Sequence, residues 1–318
     1  MTKTSATPTS ELNTAALVAR LSAAETLPEL PGIVDIAAAV PPNPPEEIQT
    51  PFVGRSYEDA YNEASSFVRI VDEWLTKRTK RGLAGRSRVV DFGAGWGRIT
   101  RLLLTQVPPT SIYAVDVDPQ MTALLNTTLP GVNAMTVTPM PPTVLADASV
   151  DSAVAFSVFS HLAPHAHEAW AAEFGRITAP GGMVFITLMD ATFLAQIREA
   201  KEQVAAGTAV PFHDGMAPLF DDIDATEAAF NAGEAVYSPA GGGGVRTEDF
   251  YGWAAMPAPY IERVWGAAGF EVVEWVQSGV IFGQAMVGLV RRPGPVRASQ
   301  PGAAGKRSLL GRLRRSAG

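Results

Sequence analysis

The chain of 318 residues contains no cysteine and only four histidines. The lack of cysteine excludes disulfide bonds, thiolate zinc sites and cysteine nucleophiles, so any metal would need histidine or carboxylate ligands. No uncharged apolar run reaches the roughly 18 residues of a membrane-spanning helix, and the polar N-terminus lacks the apolar core of a secretory signal. These absences predict a cytoplasmic protein.

Charged residues make up 18% of the chain, and their two signs are unevenly distributed. From Arg291 onward the sequence has eight basic residues and no acidic one, which leaves 17 basic and 32 acidic side chains before it. Such an acidic body repels a phosphate backbone, so we expect no nucleic-acid partner. The segment 306–315 is either disordered, as its neighbouring glycines indicate, or a weak basic amphipathic contact with an anionic membrane surface.

Proline content and changes of pattern divide the chain into three parts. Residues 1–53 are predicted to hold a short helix and then a proline-rich extended strap, because prolines recur too often between 28 and 51 for a long helix. Residues 54–292 form the predicted main domain, and residues 293–318 a flexible basic tail. The acidic and aromatic segment 191–257 interrupts the pattern of the main domain and is predicted to be an inserted lid or acceptor-binding region.

Short apolar runs alternate with helical stretches from residue 88 onward, after a helix predicted at 57–79. We predict strands at 88–92, 111–117, 134–137, 150–158 and 183–188, with a turn at 180–182. This alternation is typical of an α/β fold, in which helices cover both faces of a parallel sheet. Two final runs, 270–277 and 284–290, are joined too closely for a crossover helix and are predicted to pair antiparallel.

A glycine-rich turn follows the first predicted strand and opens the next helix. The stretch 89–98 reads VVDFGAGWGR, with an acid at 91 and glycines at 93, 95 and 97. A dinucleotide-binding fold would need its third glycine at the position of Arg98. Asp116 ends the second predicted strand 21 residues after Gly95, where a carboxylate can accept both hydroxyls of a ribose. The pair indicates a nucleoside site, with a generic α/β domain as the alternative.

Together these features resemble the class I S-adenosylmethionine-dependent methyltransferases, from about residue 55 to residue 292. The stretch 91–97 resembles the first motif of that family, Asp116 its ribose-binding acid, and the final antiparallel pair its reversed last strand. The resemblance implies the Rossmann-like methyltransferase fold, a doubly wound, seven-stranded, mostly parallel sheet with an antiparallel last strand. It implies S-adenosylmethionine as cofactor, bound by Asp91, Gly93, Ala94, Gly95, Gly97, Asp116, Val117 and Ser157.

The chain departs from the family after the third strand, where an acid often binds the adenine amine. This sequence has Val-Thr-Pro-Met at 137–140, so adenine is expected to contact backbone groups, Thr138 or Asp147. Shorter stretches, among them 157–162 and 283–284, resemble a bacterial subgroup whose members often accompany glycan-building genes. That resemblance implies a sugar or glycan acceptor.

Two residues at the predicted carboxyl edge of the sheet could take a proton from an acceptor. His161 follows the fourth strand, and its ordinary pKa of about 6.5 suits a general base, with a structural histidine as the alternative. Asp190 follows the fifth strand and is the second catalytic candidate, with an ordinary loop carboxylate as the alternative. His161, His165 and His167 lie within seven residues, but this spacing is more typical of a solvated helix start than of a metal site, so no metal is expected.

The sequence therefore predicts a methyltransferase for a small-molecule or glycan acceptor, most specifically one that O-methylates a sugar hydroxyl by in-line transfer. Two alternatives stay open. One is an N- or O-methyltransferase for a secondary metabolite, because the aromatic residues of 191–257 suit planar rings as well as sugars. The other is a non-catalytic, cofactor-binding partner of a glycosyltransferase.

Overall fold

The computed structural model describes residues 43–54 and 56–294. The predicted N-terminal helix and the basic tail beyond 294, with its membrane hypothesis, lie outside the described residues. The strands are β1 (Val89–Phe92), β2 (Ile112–Asp116), β3 (Asn133–Thr136), β4 (Val150–Ala155), β5 (Thr178–Leu188), β6 (Val236–Pro239), β7 (Gly252–Ala255), β8 (Phe270–Val276) and β9 (Ala285–Arg291). The helices are α1 (Glu46–Val53), α2 (Tyr57–Thr79), α3 (Arg98–Leu103), α4 (Pro119–Thr128), α5 (Pro164–Ile177), α6 (Ala191–Ala205), α7 (Pro211–Met216), α8 (Ile223–Asn231) and α9 (Ala258–Ala267).

The first described helix replaces the end of the predicted strap. The extended conformation is wrong for residues 46–53, which form α1 with Pro51 inside it. Pro45 precedes the helix as its N-cap, and Gly54 ends it in the left-handed region at φ 68°. The helix is short enough to tolerate the hydrogen bond that Pro51 removes. Helix α2 spans the predicted residues, and its apolar stripe packs on the sheet.

The main sheet has seven strands in the order β3-β2-β1-β4-β5-β9-β8. Neighbours from β3 to β5 pair in parallel, as the strand–helix alternation predicts. The strand order reverses between β1 and β4, and ligands bind beyond the carboxyl ends of the strands at such a point. The glycine turn after β1 therefore opens at the ligand-binding edge of the sheet.

Strand β9 is antiparallel to both its neighbours, β5 and β8. The predicted seven-stranded, mostly parallel fold with an antiparallel last strand is thereby confirmed. The predicted turn at 180–182 lies instead inside β5, which starts at Thr178. Between the pairs Val150–Thr178 and Ser152–Met183, β4 advances two residues while β5 advances five, and Gly181 at φ 78° permits this irregularity.

Among the residues that the structure describes, buried apolar side chains form three cores. The first lies on the sheet face covered by α2, α3 and α4, and the second on the opposite face beneath α5 and α9. The third joins α6, α7 and α8 to β6 and β7, within the segment 191–257 that we call the insert. Phe250, Ala254 and Met256 of the insert belong to the second core, so its last part packs on the main sheet. None of the helices in the described part of the chain is long and apolar enough to cross a membrane.

Candidate active site

The glycine loop after β1 approaches its neighbours closely. Gly93, Gly95 and Gly97 all have positive φ, at 73°, 51° and 89°, which disfavours any side chain. A Cβ at Gly93 would overlap the Val158 side chain, and a Cβ at Gly97 would overlap Leu125. The loop therefore requires glycine for space as well as for backbone conformation.

Asp116 ends β2 beside this loop. Its carboxylate accepts hydrogen bonds from the N–H groups of Gly95 at 2.7 Å and Asp118 at 2.9 Å, and the side chain is buried. Burial raises the pKa of Asp116, while the two backbone N–H groups and the Arg246 guanidinium lower it. A carboxylate offers about four acceptor positions, so further positions remain for donors such as a ribose diol.

A cleft of ≈ 960 Å³, counting space open to solvent, lies between the glycine loop, the end of β2 and the segment after β4. Its size and its mostly apolar walls are typical of a small-molecule site. The predicted cofactor-binding residues that line it are Gly93, Ala94, Gly95, Asp116, Val117 and Ser157. Apolar wall residues include Phe92, Val137, Pro139, Phe156 and Trp170.

Asp91 and Gly97, also predicted to bind the cofactor, do not line this cleft. Asp91 is buried, and its Oδ2 accepts a hydrogen bond from the Thr100 hydroxyl at 2.5 Å, which ties β1 to α3. Burial raises the pKa of Asp91 to about 7, although the Thr100 hydroxyl lowers it. Gly97 is the N-cap of α3. The two residues support the loop from behind and do not contact the cleft.

His161 lies on the cleft wall just beyond β4. Its Nδ1 is 2.8 Å from the carbonyl oxygen of Gly252, and because a carbonyl can only accept, Nδ1 carries the proton and Nε2 is the basic nitrogen. The ring stacks on Tyr251 with centroids 4.9 Å apart and lies 4.6 Å from the ring of Trp253. Burial lowers the pKa of His161 to about 4, although the bond to Gly252 raises it, so the ring is neutral at pH 7.

Asp190 does not line the cleft, and both of its carboxylate oxygens accept backbone hydrogen bonds. Oδ1 accepts from the N–H of Thr192 at 3.0 Å and caps α6, while Oδ2 accepts from the N–H of Ser278 at 3.0 Å. The structure therefore does not bring this predicted catalytic carboxylate to the cleft. Asp190 joins the insert to the connection between β8 and β9.

The clustered histidines lie in different environments. His165 is exposed at the start of α5, whereas His167 is buried and its Nε2 accepts a hydrogen bond from the Trp265 indole at 3.0 Å. Burial lowers the pKa of His167 to about 3. Across residues 43–54 and 56–294, no group of three or more histidine, aspartate or glutamate side chains is placed to hold a metal ion.

Ser157 is held in the cleft wall by a closed ring of hydrogen bonds. Its backbone N–H donates to the Thr187 hydroxyl at 2.7 Å, that hydroxyl donates to Gln284 Oε1 at 2.7 Å, and Gln284 Nε2 donates to Ser157 Oγ at 2.9 Å. The ring maintains a left-handed conformation at Ser157, φ 58°, which is uncommon for serine. Because Oγ already accepts one bond, its proton remains for a ligand.

Several residues that line the cleft are not among the predicted cofactor-binding and catalytic residues. Among them, Arg98 reaches the cleft from α3, and Arg246, Phe250 and Tyr251 reach it from the insert. Arg246 follows the glycine run 241–244, and that run is the sequence signal by which a loop close to a ligand could have been found.

The apolar end of the cleft suits adenine. Val137 and Pro139 line it, whereas Thr138 and Asp147 do not. The Thr138 hydroxyl donates to a nearby backbone carbonyl, and Asp147 forms an ion pair with Arg176 at 2.7 Å. Among the three kinds of adenine contact predicted from the sequence, the geometry favours backbone groups.

These residues fit S-adenosylmethionine. Asp116 offers acceptors for the ribose hydroxyls of the cofactor. Gly93 has no Cβ atom, which would otherwise crowd the loop beside the cleft. Trp96 also lines the cleft, and within the described residues its buried indole N–H has no hydrogen-bond partner. Arg98 adds a positive charge at the cleft wall, where its Nη1 donates to the Ala60 carbonyl at 3.0 Å and lies 4.0 Å from Glu63 Oε2.

Comparison with known proteins gives one family match. Residues 89–182 match the family model described as methyltransferase domain. Over 113 residues the chain is 34% identical to a Methylobacterium nodulans protein named trans-aconitate 2-methyltransferase. That match covers 34% of this chain and 40% of the relative, so the chain spans less than half of the relative's length.

Solved structures resemble the chain at low identity. One is 1,6-didemethyltoxoflavin-N1-methyltransferase of Burkholderia thailandensis with bound 1,6-didemethyltoxoflavin and S-adenosylhomocysteine, at 16% identity and a TM-score of 0.46, covering 78% of this chain and 86% of that one. Another is an amino pentose methyltransferase of Micromonospora echinaspora bound to S-adenosylmethionine, at 15% identity and a TM-score of 0.45, covering 75% and 92%. Residues 89–182 thus match a methyltransferase domain, the sheet order and the glycine loop agree with that match, and the residues around the cleft fit S-adenosylmethionine as cofactor.

Proposed function

We propose that the whole chain transfers a methyl group from S-adenosylmethionine to a hydroxyl of a small molecule, most specifically of a sugar or glycan. The observation that carries this proposal is the neutral His161 ring on the cleft wall, oriented by the Gly252 carbonyl with Nε2 unprotonated. A hydroxyl must lose its proton as it is methylated, and a positioned imidazole accepts such a proton.

Each wall of the cleft has its own task in this reaction. S-adenosylmethionine, when bound, supplies an electrophilic methyl group on a positively charged sulfur. Asp116 accepts the ribose hydroxyls, and the Ser157 hydroxyl donates to a cofactor oxygen or nitrogen. His161 takes the hydroxyl proton at Nε2, and the bond from Nδ1 to the Gly252 carbonyl supports the resulting positive charge. Because a pKa of about 4 makes His161 a weak base, the proton moves as the new C–O bond forms, not before it.

The aromatic side chains of the insert near His161 suit a sugar as acceptor. Tyr251 and Trp253 flank His161, and Phe193 stacks on Trp253 with centroids 5.3 Å apart. Aromatic faces pack on the C–H face of a sugar ring and leave its hydroxyls to polar groups. A planar secondary metabolite would use the same faces, so only turnover with both kinds of acceptor distinguishes them.

Calorimetric titration of S-adenosylhomocysteine tests the cofactor site. We expect micromolar affinity for the unaltered chain and a loss of at least about tenfold in Asp116→Asn, because an amide offers one acceptor fewer and no charge to the ribose hydroxyls. Asp147→Asn is the matched control, since it removes a carboxylate that is paired with Arg176 outside the cleft. Absence of binding to the unaltered chain would overturn the proposal.

Acceptor screening with His161→Gln tests the reaction. Release of S-adenosylhomocysteine is measured with free sugars, nucleotide sugars and planar phenols and amines. With a hydroxyl acceptor we expect His161→Gln to lower kcat by about 100-fold or more while cofactor affinity is kept, and His165→Gln, an exposed neighbour, to be unchanged. Trans-aconitate, from the name of the relative, carries ionised carboxylates that need no base. Turnover with it that survives His161→Gln would contradict the hydroxyl assignment, and cofactor binding without turnover of any acceptor would favour the non-catalytic partner.

A further inference from the structure

The last part of the insert forms one wall of the cofactor cleft. We name residues 241–254 the clasp segment; its Arg246, Phe250 and Tyr251 line the cleft. Nη2 of Arg246 lies 3.7 Å from Oδ2 of Asp118, and the Arg246 side chain is 20% exposed. The guanidinium also lowers the pKa of the neighbouring Asp116. An arginine of the insert thus faces the ribose end of the cleft.

The backbone of the clasp segment is shaped around this arginine. A Cβ at Gly242 would come within 2.9 Å of Tyr251 Cε1 and 3.1 Å of Arg246 Nε, so both side chains pack directly on the glycine. The N–H of Arg246 donates to the Gly243 carbonyl at 3.2 Å and closes a turn. The local structure therefore holds the guanidinium against the cleft and limits its freedom to turn to solvent.

The clasp segment is also hydrogen-bonded to the residues around His161. The N–H of Gly252 donates to the His161 carbonyl at 2.8 Å, and the N–H of Ala254 donates to the Ser160 carbonyl at 2.9 Å. The N–H of residue 163 donates to the Phe250 carbonyl at 2.9 Å. With the bond from His161 Nδ1 to Gly252, these contacts form a continuous ladder. Movement of the clasp segment would displace the proposed base and the cofactor wall together.

We propose that Arg246 is a cofactor-positioning residue, whose guanidinium closes the ribose end of the cleft on Asp116 and Asp118 and thereby couples cofactor binding to the insert. The inference rests on the proposed function, because it requires the cleft to bind the adenosyl group. Without Arg246, two carboxylates would lie side by side at the cleft with less positive charge near them, which weakens the ionised form of Asp116 that accepts ribose hydroxyls.

Titration of S-adenosylhomocysteine into arginine variants tests this role. We expect Arg246→Gln to bind about tenfold more weakly, and Arg246→Lys to recover part of the loss because it keeps the charge. Arg198→Gln is the matched control, since Arg198 is an insert arginine that pairs with Asp224 and Glu227 away from the cleft, and its affinity should stay unchanged. In the double variant Asp118→Asn/Arg246→Gln the loss should be smaller than the product of the two single losses.

Amide hydrogen exchange reports on the coupling without any acceptor. In the unaltered chain, S-adenosylhomocysteine should slow exchange in residues 241–254, because closing the cleft stabilises the ladder to His161. At the same fractional saturation, Arg246→Gln should show little of this protection. A general loss of structure would instead accelerate exchange across the sheet strands in the absence of ligand, so it is recognised in the same measurement.

The outcomes separate this inference from the proposed function. No binding to the unaltered chain overturns both. Binding to the unaltered chain and loss in Asp116→Asn, with equal affinity and equal protection in Arg246→Gln, overturns the positioning role alone. Unchanged cofactor affinity with a raised KM for the acceptor also overturns it, because that result assigns Arg246 to an anionic group of the acceptor.

Discussion

Gly93 and Gly181 both have positive φ, at 73° and 78°, yet their surroundings differ. A Cβ at Gly93 would overlap Val158 beside the cofactor cleft, whereas a Cβ at Gly181 has no atom within 4 Å. Alanine at either position carries the cost of a left-handed conformation, about 1 kcal/mol or somewhat more. Steric overlap is added at Gly93 alone. Comparing alanine at the two positions therefore distinguishes the effect of backbone strain from the effect of a changed cleft shape.

We therefore predict that Gly93→Ala weakens S-adenosylhomocysteine binding by at least about tenfold, while Gly181→Ala leaves the affinity unchanged. Both variants should lose about 1–3 kcal/mol in the free energy of unfolding, with the larger loss in Gly93→Ala. Titration calorimetry and urea unfolding measure the two quantities. Equal affinity in the two variants would show that Val158 can move aside and that the loop tolerates a side chain.

Acid stability should depend on His167, which is buried beneath α9. Its pKa of about 3 in the folded chain lies below the ordinary value of 6.5, so the unfolded chain binds the proton more readily. The stability contributed by the neutral ring is therefore present above pH 6.5 and lost as the pH falls from 6.5 towards 3. His161, with a pKa of about 4, contributes in the same direction.

We predict that His167→Gln flattens this pH dependence. Its amide oxygen can still accept the Trp265 hydrogen bond, but it does not titrate. Between pH 6.5 and 4.5 the unaltered chain should lose up to about 1.4 kcal/mol per pH unit more than the variant. Urea unfolding at fixed pH values gives the slopes, and His165→Gln serves as the exposed control. Parallel slopes for all three proteins would contradict the prediction.

Residue-level prediction from sequence succeeds where the geometry is local. The spacing of Gly93 and Gly95 and the strand-terminal Asp116 place these residues on the cleft from local pattern alone. Prediction fails where the direction of a side chain, or a contact between distant segments, decides whether a residue reaches the cleft. Asp190 follows a strand at the correct edge, but its side chain turns to its own helix, and Arg246 reaches the cleft only through the packing of the insert.

Helix α6 begins the insert, and its N-cap also connects two elements. Asp190 accepts the N–H of Thr192 in the helix and the N–H of Ser278 in the connection between β8 and β9. Asp222 caps α8 through the N–H of Ala225 at 2.9 Å, and its carboxylate provides a matched control at a second helix of the insert.

We predict that Asp190→Ala lowers the free energy of unfolding by about 1–2 kcal/mol, because it loses a helix cap and the bond to Ser278. Asp222→Ala should lose about 1 kcal/mol, the cost of a cap alone. Neither variant should change kcat by more than about twofold. Steady-state kinetics and urea unfolding check both quantities. A drop in kcat of about 100-fold in Asp190→Ala alone would restore the catalytic role predicted from the sequence.

Element prediction from sequence is accurate wherever hydrophobic period and length agree. Helix α2 and the antiparallel pair β8 and β9 follow the sequence pattern closely. The predicted turn at 180–182 became an irregularity within β5, because pairing with β4 can absorb the extra residues. The end of the predicted strap, residues 46–53, forms α1, because a single interior proline does not prevent a helix of two turns.

Across the whole molecule, the insert has two attachments of different character. Its helices pack in the third core, and the residues of that core do not line the cofactor cleft. Its last part, which contains the clasp segment, joins the second core and the cleft. Cofactor binding should therefore stabilise the sheet and the clasp segment directly. It should stabilise the helices α6, α7 and α8 only indirectly, because the third core does not line the cleft.

A pair of core truncations tests this division. Ile197 is fully buried in the third core, and Leu162 is buried in the second core and lines the cleft. Truncation to alanine should cost about 2–5 kcal/mol at either site.

S-adenosylhomocysteine at about 100 times its Kd should add about 2.7 kcal/mol to the stability of the unaltered chain. The same ligand increment is expected in Ile197→Ala at the same concentration, and a smaller one in Leu162→Ala, because only the latter removes cleft surface. Thermal unfolding with and without ligand measures the increments. Loss of the increment in Ile197→Ala would mean that the packing of the insert helices determines the affinity of the cofactor cleft.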